Sequence, residues 1–138
     1  MADYFTSFTL VAPLPDEAAQ QYAFQLSTTI SDAGRDDTLP DNVPQSIRDE
    51  MENWSFNTVA VSESHGIWLH SKFGGIDAVC AFIQHLLRKF TPEAIVTFEW
   101  SHDYSKPLTD AYGGGAAIIT ATEIKTMSTS EWLQLNAA

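Results

Sequence analysis

Residue types that could do chemistry are few in this chain, and most of them stand apart from one another. The chain has four histidines: His65, His70, His85 and His102. None of them belongs to a His-Glu-x-x-His motif or to another metal-ligand spacing. Residues 101–103 are Ser, His and Asp, the types of a hydrolase triad, but neighbours along a strand point to alternating sides, and triads are assembled in space. The sequence therefore predicts no catalytic residue, no metal site and no cofactor, and we interpret the chain as a non-enzyme.

The densest group of polar and aromatic side chains follows a strand-like run near residue 98. Its members are Glu99, His102, Asp103, Tyr104, Lys106, Asp110 and Tyr112. Because functional residues are often carried on loops that a rigid sheet holds in place, this 99–112 loop is a secondary candidate site for a small enzyme or a ligand-binding domain. The alternative is a solvent-exposed connection in which the tyrosines pack.

The strongest compositional feature is an excess of acidic residues. Eighteen acids against seven bases give a formal net charge of −11, and up to residue 63 eleven acids stand against two bases. Phosphate repels such a surface, so the charge argues against direct nucleic-acid binding and favours a protein partner with a basic surface. The predicted partner-binding residues are Asp32, Asp36, Asp37, Asp41, Asp49, Glu50 and Glu52. The alternative is that the acidity only keeps the protein soluble.

Length and cysteine content bound the class of protein. A chain of 138 residues predicts one domain, 1–138, with enough mass to bury a core. Cys80 is the one cysteine, and its apolar neighbours on a predicted helix indicate a buried, inert thiol rather than a nucleophile. The sequence has no signal-peptide pattern and no apolar run of about 20 residues, which predicts a cytoplasmic protein that does not engage a membrane.

Hydrophobic periodicity predicts five strands and two long helices. The strands are expected at 4–11, 56–63, 66–72, 94–100 and 116–122. Helical spacing of apolar residues predicts one long helix over 15–34 and a second over 76–90. Short helices are expected near Pro44 and after Ser128, where Ser128 and Glu131 fit a capping box.

Glycines and tryptophans near these strands allow more than one interpretation. Residues 113–115 are three glycines, which permit positive φ, a bulge or a close backbone approach, and they precede a strand rather than the helix that a phosphate loop needs. Trp68 and Trp100 are core residues or, if they lie on an open sheet face, a binding platform. Trp132 is expected to pack back on the domain.

This order of elements matches the β-α-β-β-α-β, split βαβ plan, followed by an extra C-terminal strand and short helices. We therefore predict an α+β, two-layer, ferredoxin-like fold with both long helices on one face of the sheet. Right-handed crossovers place strands 4–11 and 66–72 side by side and parallel at the centre. Strand 94–100 then lies outside strand 4–11, and strand 116–122 extends that edge.

The last third of the chain carries a compact motif. Its parts are Phe98-Glu99-Trp100, Ser105-Lys106-Pro107, the run from Asp110 through Tyr112 and three glycines to Ala116, and Ile119-Thr120. The motif resembles a pattern seen in small uncharacterised proteins of phages, plasmids and bacterial genomes. No activity is known for those proteins, so the resemblance transfers no functional residue. It implies a mobile-element context, inside a host cytoplasm if phage-encoded, where proteins of this size are often accessory or counter-defence factors.

Three functions stay open on the sequence. The first is a non-enzymatic binding protein whose acidic face engages and inhibits a basic protein, such as a nucleic-acid-binding protein of host or phage. The second is a small enzyme or ligand-binding domain with its site near the 99–112 loop. The third is a structural module that self-associates, as a homodimer, through an open sheet face.

Overall fold

A computed structural model describes residues 4–33, 39–61, 64–104 and 112–137. Six strands are present: β1 Tyr4–Ala12, β2 Asn57–Ala60, β3 Ile67–Ser71, β4 Val96–Tyr104, β5 Gly113–Ile119 and β6 Ile124–Ser128. Four α-helices accompany them: α1 Glu17–Ala33, α2 Gln45–Arg48, α3 Ile76–Phe90 and α4 Thr129–Asn136. A 3-10 turn, Met51–Asn53, follows α2. The predicted α+β class is confirmed.

The strands form one antiparallel sheet in the order β2-β3-β1-β4-β5-β6. The predicted neighbours are found, because β3 lies beside β1, β4 lies on its other side and β5 extends that edge. The predicted parallel direction of β1 and β3 is wrong, since Leu10 faces Leu69 in an antiparallel register. The connection through α1 leaves β2 parallel to β1. Because the β2–β3 hairpin then reverses the chain, β3 lies between these two strands and runs antiparallel to both.

One strand and several strand boundaries differ from the sequence prediction. The edge strand β6 was not predicted, because its residues are mostly exposed and show no buried alternation. β4 continues through Tyr104, and β5 begins at Gly113. Part of the predicted 99–112 loop is therefore strand, and the glycines lie inside β5 rather than before it.

The hydrophobic core lies between one face of the sheet and the helices. Core residues on the sheet include Phe8, Leu69, Phe98 and Ile119, and those on α3 include Phe82, Ile83 and Leu86. Full burial of each such side chain contributes about 1.5–3 kcal/mol to folding. β3 shows the alternation that the sequence predicts, with Ile67 and Leu69 buried and Trp68 exposed. Within the described ranges, no helix has the length and apolarity that crossing a membrane requires.

The helix ends agree with the local sequence signals. The backbone N–H of Ala19 donates to Asp16 Oδ1 at 2.8 Å, which satisfies one of the free donors at the start of α1. The backbone N–H of Glu131 donates to Ser128 Oγ at 3.2 Å, as the predicted cap of α4 requires.

Candidate functional site

The sheet has one face turned away from α1 and α3, and we call it the open face. The side chains on this face alternate along each strand with those that point into the core. They include Ser7, Thr9, Val11, Trp68, His70, Glu99 and Ser101. A groove of about 830 Å³ crosses this face over β1, with Trp68, His70 and Lys72 on one side and Glu99 on the other. The groove is open to solvent, and it is larger than two other cavities lined by described residues, of about 480 and 390 Å³.

Trp68 is held in a fixed orientation on the open face. Its Nε1 donates to Thr9 Oγ1 at 2.6 Å, and its ring lies 4.3 Å from the ring of His70, at 33°. The side chain still exposes 39% of its surface. Of the two positions considered for Trp68, the open face rather than the core is therefore the correct one. The tethered indole offers a rigid apolar surface that loses little rotamer freedom on binding.

Trp100 lies on the opposite, helix-bearing face, where it is half-buried and packs on Phe98 with ring centroids 5.8 Å apart. It faces Gly115 in the β4–β5 register. A Cβ on Gly115 would lie 2.3 Å from Trp100 Cζ2, and a Cβ on Gly114 would lie 2.4 Å from the Trp100 carbonyl oxygen. Close backbone approach is therefore what these glycines provide. The structure gives neither of them a positive φ.

A smaller cavity of about 390 Å³ lies where α4 meets β5. Trp100, Met127 and Trp132 contribute to its lining, together with the backbone of the glycine run. Trp132 contacts this cavity but stays 53% exposed, so it packs on the domain less completely than the sequence predicts.

The residues of the predicted 99–112 loop are divided between the two faces. Glu99 and Asp103 have open-face parity, whereas His102 points to the helix side and makes a 2.8 Å hydrogen bond between its Nδ1 and Thr6 Oγ1. Tyr112 donates from its hydroxyl to the Tyr104 carbonyl at 3.3 Å. Lys106 and Asp110 lie outside the described residues. His102 and the two described carboxylates of this set, Glu99 and Asp103, therefore do not converge on one pocket.

The histidines give no common metal site. His70 faces Thr9 on the open face, while His102 faces Thr6 on the helix side, so the central strand and the thickness of the sheet separate them. Across the described part of the chain, no cluster of three or more His, Cys, Asp or Glu side chains is arranged to hold a metal ion.

Five of the seven predicted acidic residues are described, and they lie on the helix side of the molecule. Asp32 is exposed near the end of α1. Asp41, Asp49, Glu50 and Glu52 lie on the stretch formed by a turn, α2 and the 3-10 turn, which packs against α3. We call residues 41–52 the acidic segment. Asp36 and Asp37 lie outside the described residues.

Two carboxylates of the acidic segment accept hydrogen bonds from side-chain amides. Asp49 accepts a hydrogen bond from Gln45 at 2.8 Å, and Glu50 accepts one from Asn53 at 3.0 Å. Lys125 and Glu123, on another part of the surface, form the one ion pair in which both partners are described residues. Within the described structure, then, no lysine or arginine neutralises these acids.

Basic side chains of the described residues are largely used for packing and for backbone contacts. Arg48 donates to the carbonyl oxygens of Pro40 and Val43. Arg88 Nε donates to the Ala121 carbonyl at 2.6 Å, and Lys89 Nζ lies 4.8 Å from the centre of the Tyr22 ring.

Buried titratable groups lie in the core rather than at a site. Burial, with smaller contributions from the charges of Asp77 and Glu50, raises the pKa of Cys80 to about 12, so the thiol stays protonated as expected for an inert core cysteine. Between α1 and α3, the Tyr22 hydroxyl and His85 Nε2 are hydrogen-bonded at 2.7 Å. Burial raises the pKa of Tyr22, and burial followed by neighbouring positive charge lowers the pKa of His85. The sequence offered no sign of this pair.

Comparison of the chain with protein-family models, with curated proteins and with solved structures finds no match. Function is accordingly inferred from the charge, the open face and the positions of the candidate residues.

Proposed function

We propose that this protein is a small, non-enzymatic binding protein that engages a partner with a basic surface through its acidic segment. The observation that carries the proposal is the exposure of Asp41, Asp49 and Glu52 without an ion pair to any described cation. Asp32 lies on the same helix side of the molecule and adds to the negative potential. The formal net charge of −11 makes the whole chain attractive to a cationic surface.

Exposed charges of this kind act mainly on the rate of association and on the choice of partner. Complementary potentials raise the association rate by orders of magnitude at low salt and suppress binding of partners that carry the same charge. Carboxylates spaced along a turn and short helix can also occupy positions that phosphates take on a nucleic-acid-binding protein. A partner that binds nucleic acid through a basic surface therefore fits the acidic segment.

The motif of the last third of the chain supplies a biological context for the proposal. Its resemblance to small proteins of phages and plasmids is consistent with an inhibitor of a host or phage protein, which would be a counter-defence role. We further propose that the first six main elements follow the ferredoxin-like plan, for which the strand order β2-β3-β1-β4 is the supporting feature. That plan hosts many unrelated activities and gives no function by itself.

The enzyme alternative has less support. A hydrolytic or acid–base site near the 99–112 loop needs His102 and a carboxylate in one cavity, but Glu99 has open-face parity while His102 is bonded to Thr6 on the helix side. Ligand binding in the open-face groove does not need His102, and the tethered Trp68 favours it as a second candidate function.

The proposal is tested by capturing partners from a bacterial lysate on the immobilised chain over a salt range of about 50–500 mM, with the captured proteins identified by mass spectrometry. A triple variant, Asp41→Asn, Asp49→Asn and Glu52→Gln, removes three negative charges from the acidic segment. We expect a basic protein whose capture falls with salt and drops about tenfold in the triple variant, because its electrostatic steering is lost.

A matched control variant carries the same change in net charge elsewhere. Glu93→Gln, Glu123→Gln and Glu131→Gln neutralise three exposed acids outside the acidic segment. Capture of the same partner should change little in this control. Equal loss in both variants would point to net charge alone, and a partner whose capture ignores both salt and the acidic segment would contradict the proposal.

A further inference from the structure

The open face differs in charge from the rest of this acidic chain. The described charged residues that stand on it or line its cavities are Lys72, Glu99, Asp103 and Lys125. Two acids against two bases make this face close to neutral in a protein whose formal net charge is −11. Two copies of the chain therefore repel each other through most of their surface, and the open face is where that repulsion is smallest.

An apolar row crosses the same face. Val59 and Val11 flank Trp68 on the two neighbouring strands, since both pair with it in the sheet register. These side chains are 42%, 51% and 39% exposed, respectively. Further along the sheet, Ile118 is 45% exposed on the same face. A contiguous exposed row of this kind is uncommon on a monomer's surface and is typical of a contact surface.

We propose that a second copy of this chain covers the open face, in a two-fold dimer whose axis runs along β1. Such an axis places β3 of one copy over β4 of the other and β2 over β5. By the strand registers, Val59 of one copy then faces Ile118 of the other, twice, and Lys72 lies diagonal to Glu99, two residues along the strands, twice. An isologous interface must be complementary to itself, and the balanced charges with a central apolar row meet that requirement.

The area of this contact sets the expected affinity. Five overlapping strands about 4.8 Å apart and about 20 Å long give roughly 480 Å² in projection, before side-chain relief is added. Specific, stable interfaces bury about 600–1,000 Å² on each partner, so the projected area of this dimer lies below that range, among weak and transient contacts. We therefore expect a weak dimer, with a dissociation constant in the micromolar range.

The direction of the salt effect distinguishes this dimer from the proposed partner binding. Salt screens the repulsion between two chains of net charge −11, so self-association should strengthen as salt rises. Binding of a basic partner through the acidic segment should weaken over the same range. The dimer and the binding of a basic partner can therefore fail independently, and the salt dependence shows which of the two has failed.

Sedimentation velocity on the purified full chain, from about 1 to 500 µM, tests the proposal. A concentration-dependent shift from monomer to dimer is expected, with a dissociation constant that falls at higher salt. Val11→Asp and Val59→Asp should each raise the dissociation constant by at least about tenfold, because each substitution appears twice in the interface. Phe24→Asp, on the exposed side of α1, is the matched control and should leave it unchanged.

A charge exchange tests the pairing directly. Lys72→Glu and Glu99→Lys should each weaken the dimer by opposing like charges, and the double variant should restore it. Circular dichroism and unfolding midpoints establish that each variant is folded. A monomer at all concentrations, or a dimer indifferent to Val11→Asp in a folded variant, would overturn the proposal and leave the open face to a different occupant.

Discussion

Replacing each of the three consecutive glycines of β5 with alanine tests how closely the glycine backbone approaches its neighbours. A Cβ on Gly114 would lie 2.4 Å from the Trp100 carbonyl oxygen. A Cβ on Gly115 would lie 2.3 Å from Trp100 Cζ2 and 2.7 Å from the Met127 carbonyl oxygen. A Cβ on Gly113 meets Thr129 Oγ1 at 3.3 Å and His102 Cδ2 at 3.9 Å, the latter an ordinary van der Waals contact. The contacts at Gly114 and Gly115 are too short to be accommodated without movement of β4 or β6.

The expected magnitudes follow from what each added methyl group meets. Overpacking costs about 1–3 kcal/mol, and alanine returns about 0.4–1 kcal/mol by reducing the entropy of the unfolded chain. Gly114→Ala and Gly115→Ala should therefore each lower the free energy of unfolding by about 1–2 kcal/mol. Gly113→Ala should stay within about 0.5 kcal/mol of the parent, because the Thr129 hydroxyl can shift by a few tenths of an ångström.

A double-mutant cycle separates the two crowded positions. Trp100→Leu removes the indole that crowds Gly115, so Gly115→Ala should cost less in that background, although its contact with the Met127 carbonyl limits the rescue. The cost of Gly114→Ala should be unchanged, because its contact is with the backbone of residue 100. Urea unfolding, followed by far-UV circular dichroism, gives all the free energies. Equal costs at all three glycines, or rescue of Gly114→Ala by Trp100→Leu, would refute the reasoning.

Three further predictions concern buried or tethered groups. Burial, reinforced by Lys89, lowers the pKa of His85 below its usual 6.5. Because the unfolded chain takes up a proton that the native state lacks, the free energy of unfolding should fall as pH drops from 6.5 through the lowered pKa. In urea titrations at different pH values, His85→Gln should flatten that dependence. Cys80, whose pKa is raised to about 12, should not react with a disulfide reagent at pH 8 until urea unfolds the chain. Thr9→Val removes the acceptor of the Trp68 Nε1–H, and should cost about 0.5–1.5 kcal/mol and change the tryptophan emission.

The fold was predictable where burial leaves a periodic signal in the sequence. α1 and α3 carry apolar stripes at helical spacing, and β3 alternates strictly, so their type and approximate bounds follow from pattern. β6 is an exposed edge strand whose pairing with β5 depends on backbone hydrogen bonds alone, and no hydrophobic pattern reports such bonds. The relative direction of β1 and β3 follows from the connections rather than from either element's own residues, because α1 leaves β2 parallel to β1 and the β2–β3 hairpin then reverses the chain.

The candidate sites were predictable to the extent that they are contiguous in sequence. The acidic segment is one stretch of chain, so its charge can be counted without coordinates. Residues of β4 are different, because a strand sends neighbours to opposite faces, and the register decides which of Glu99 and His102 meets the groove. The same register separates Trp68 from Trp100, which the sequence left with equivalent interpretations.

The two surfaces proposed here lie on opposite sides of the sheet, and that arrangement has a consequence for binding. The acidic segment packs against α3 on the helix side, whereas the second copy would cover the open face, so dimerisation would leave both acidic segments exposed and pointing outward. A basic partner with repeated sites could then bind two segments at once, with the second contact favoured by effective concentration. A partner with one site could not. The Val11→Asp variant should therefore reduce the apparent affinity of an immobilised, repeated basic partner while leaving that of the same partner in soluble, single-site form unchanged.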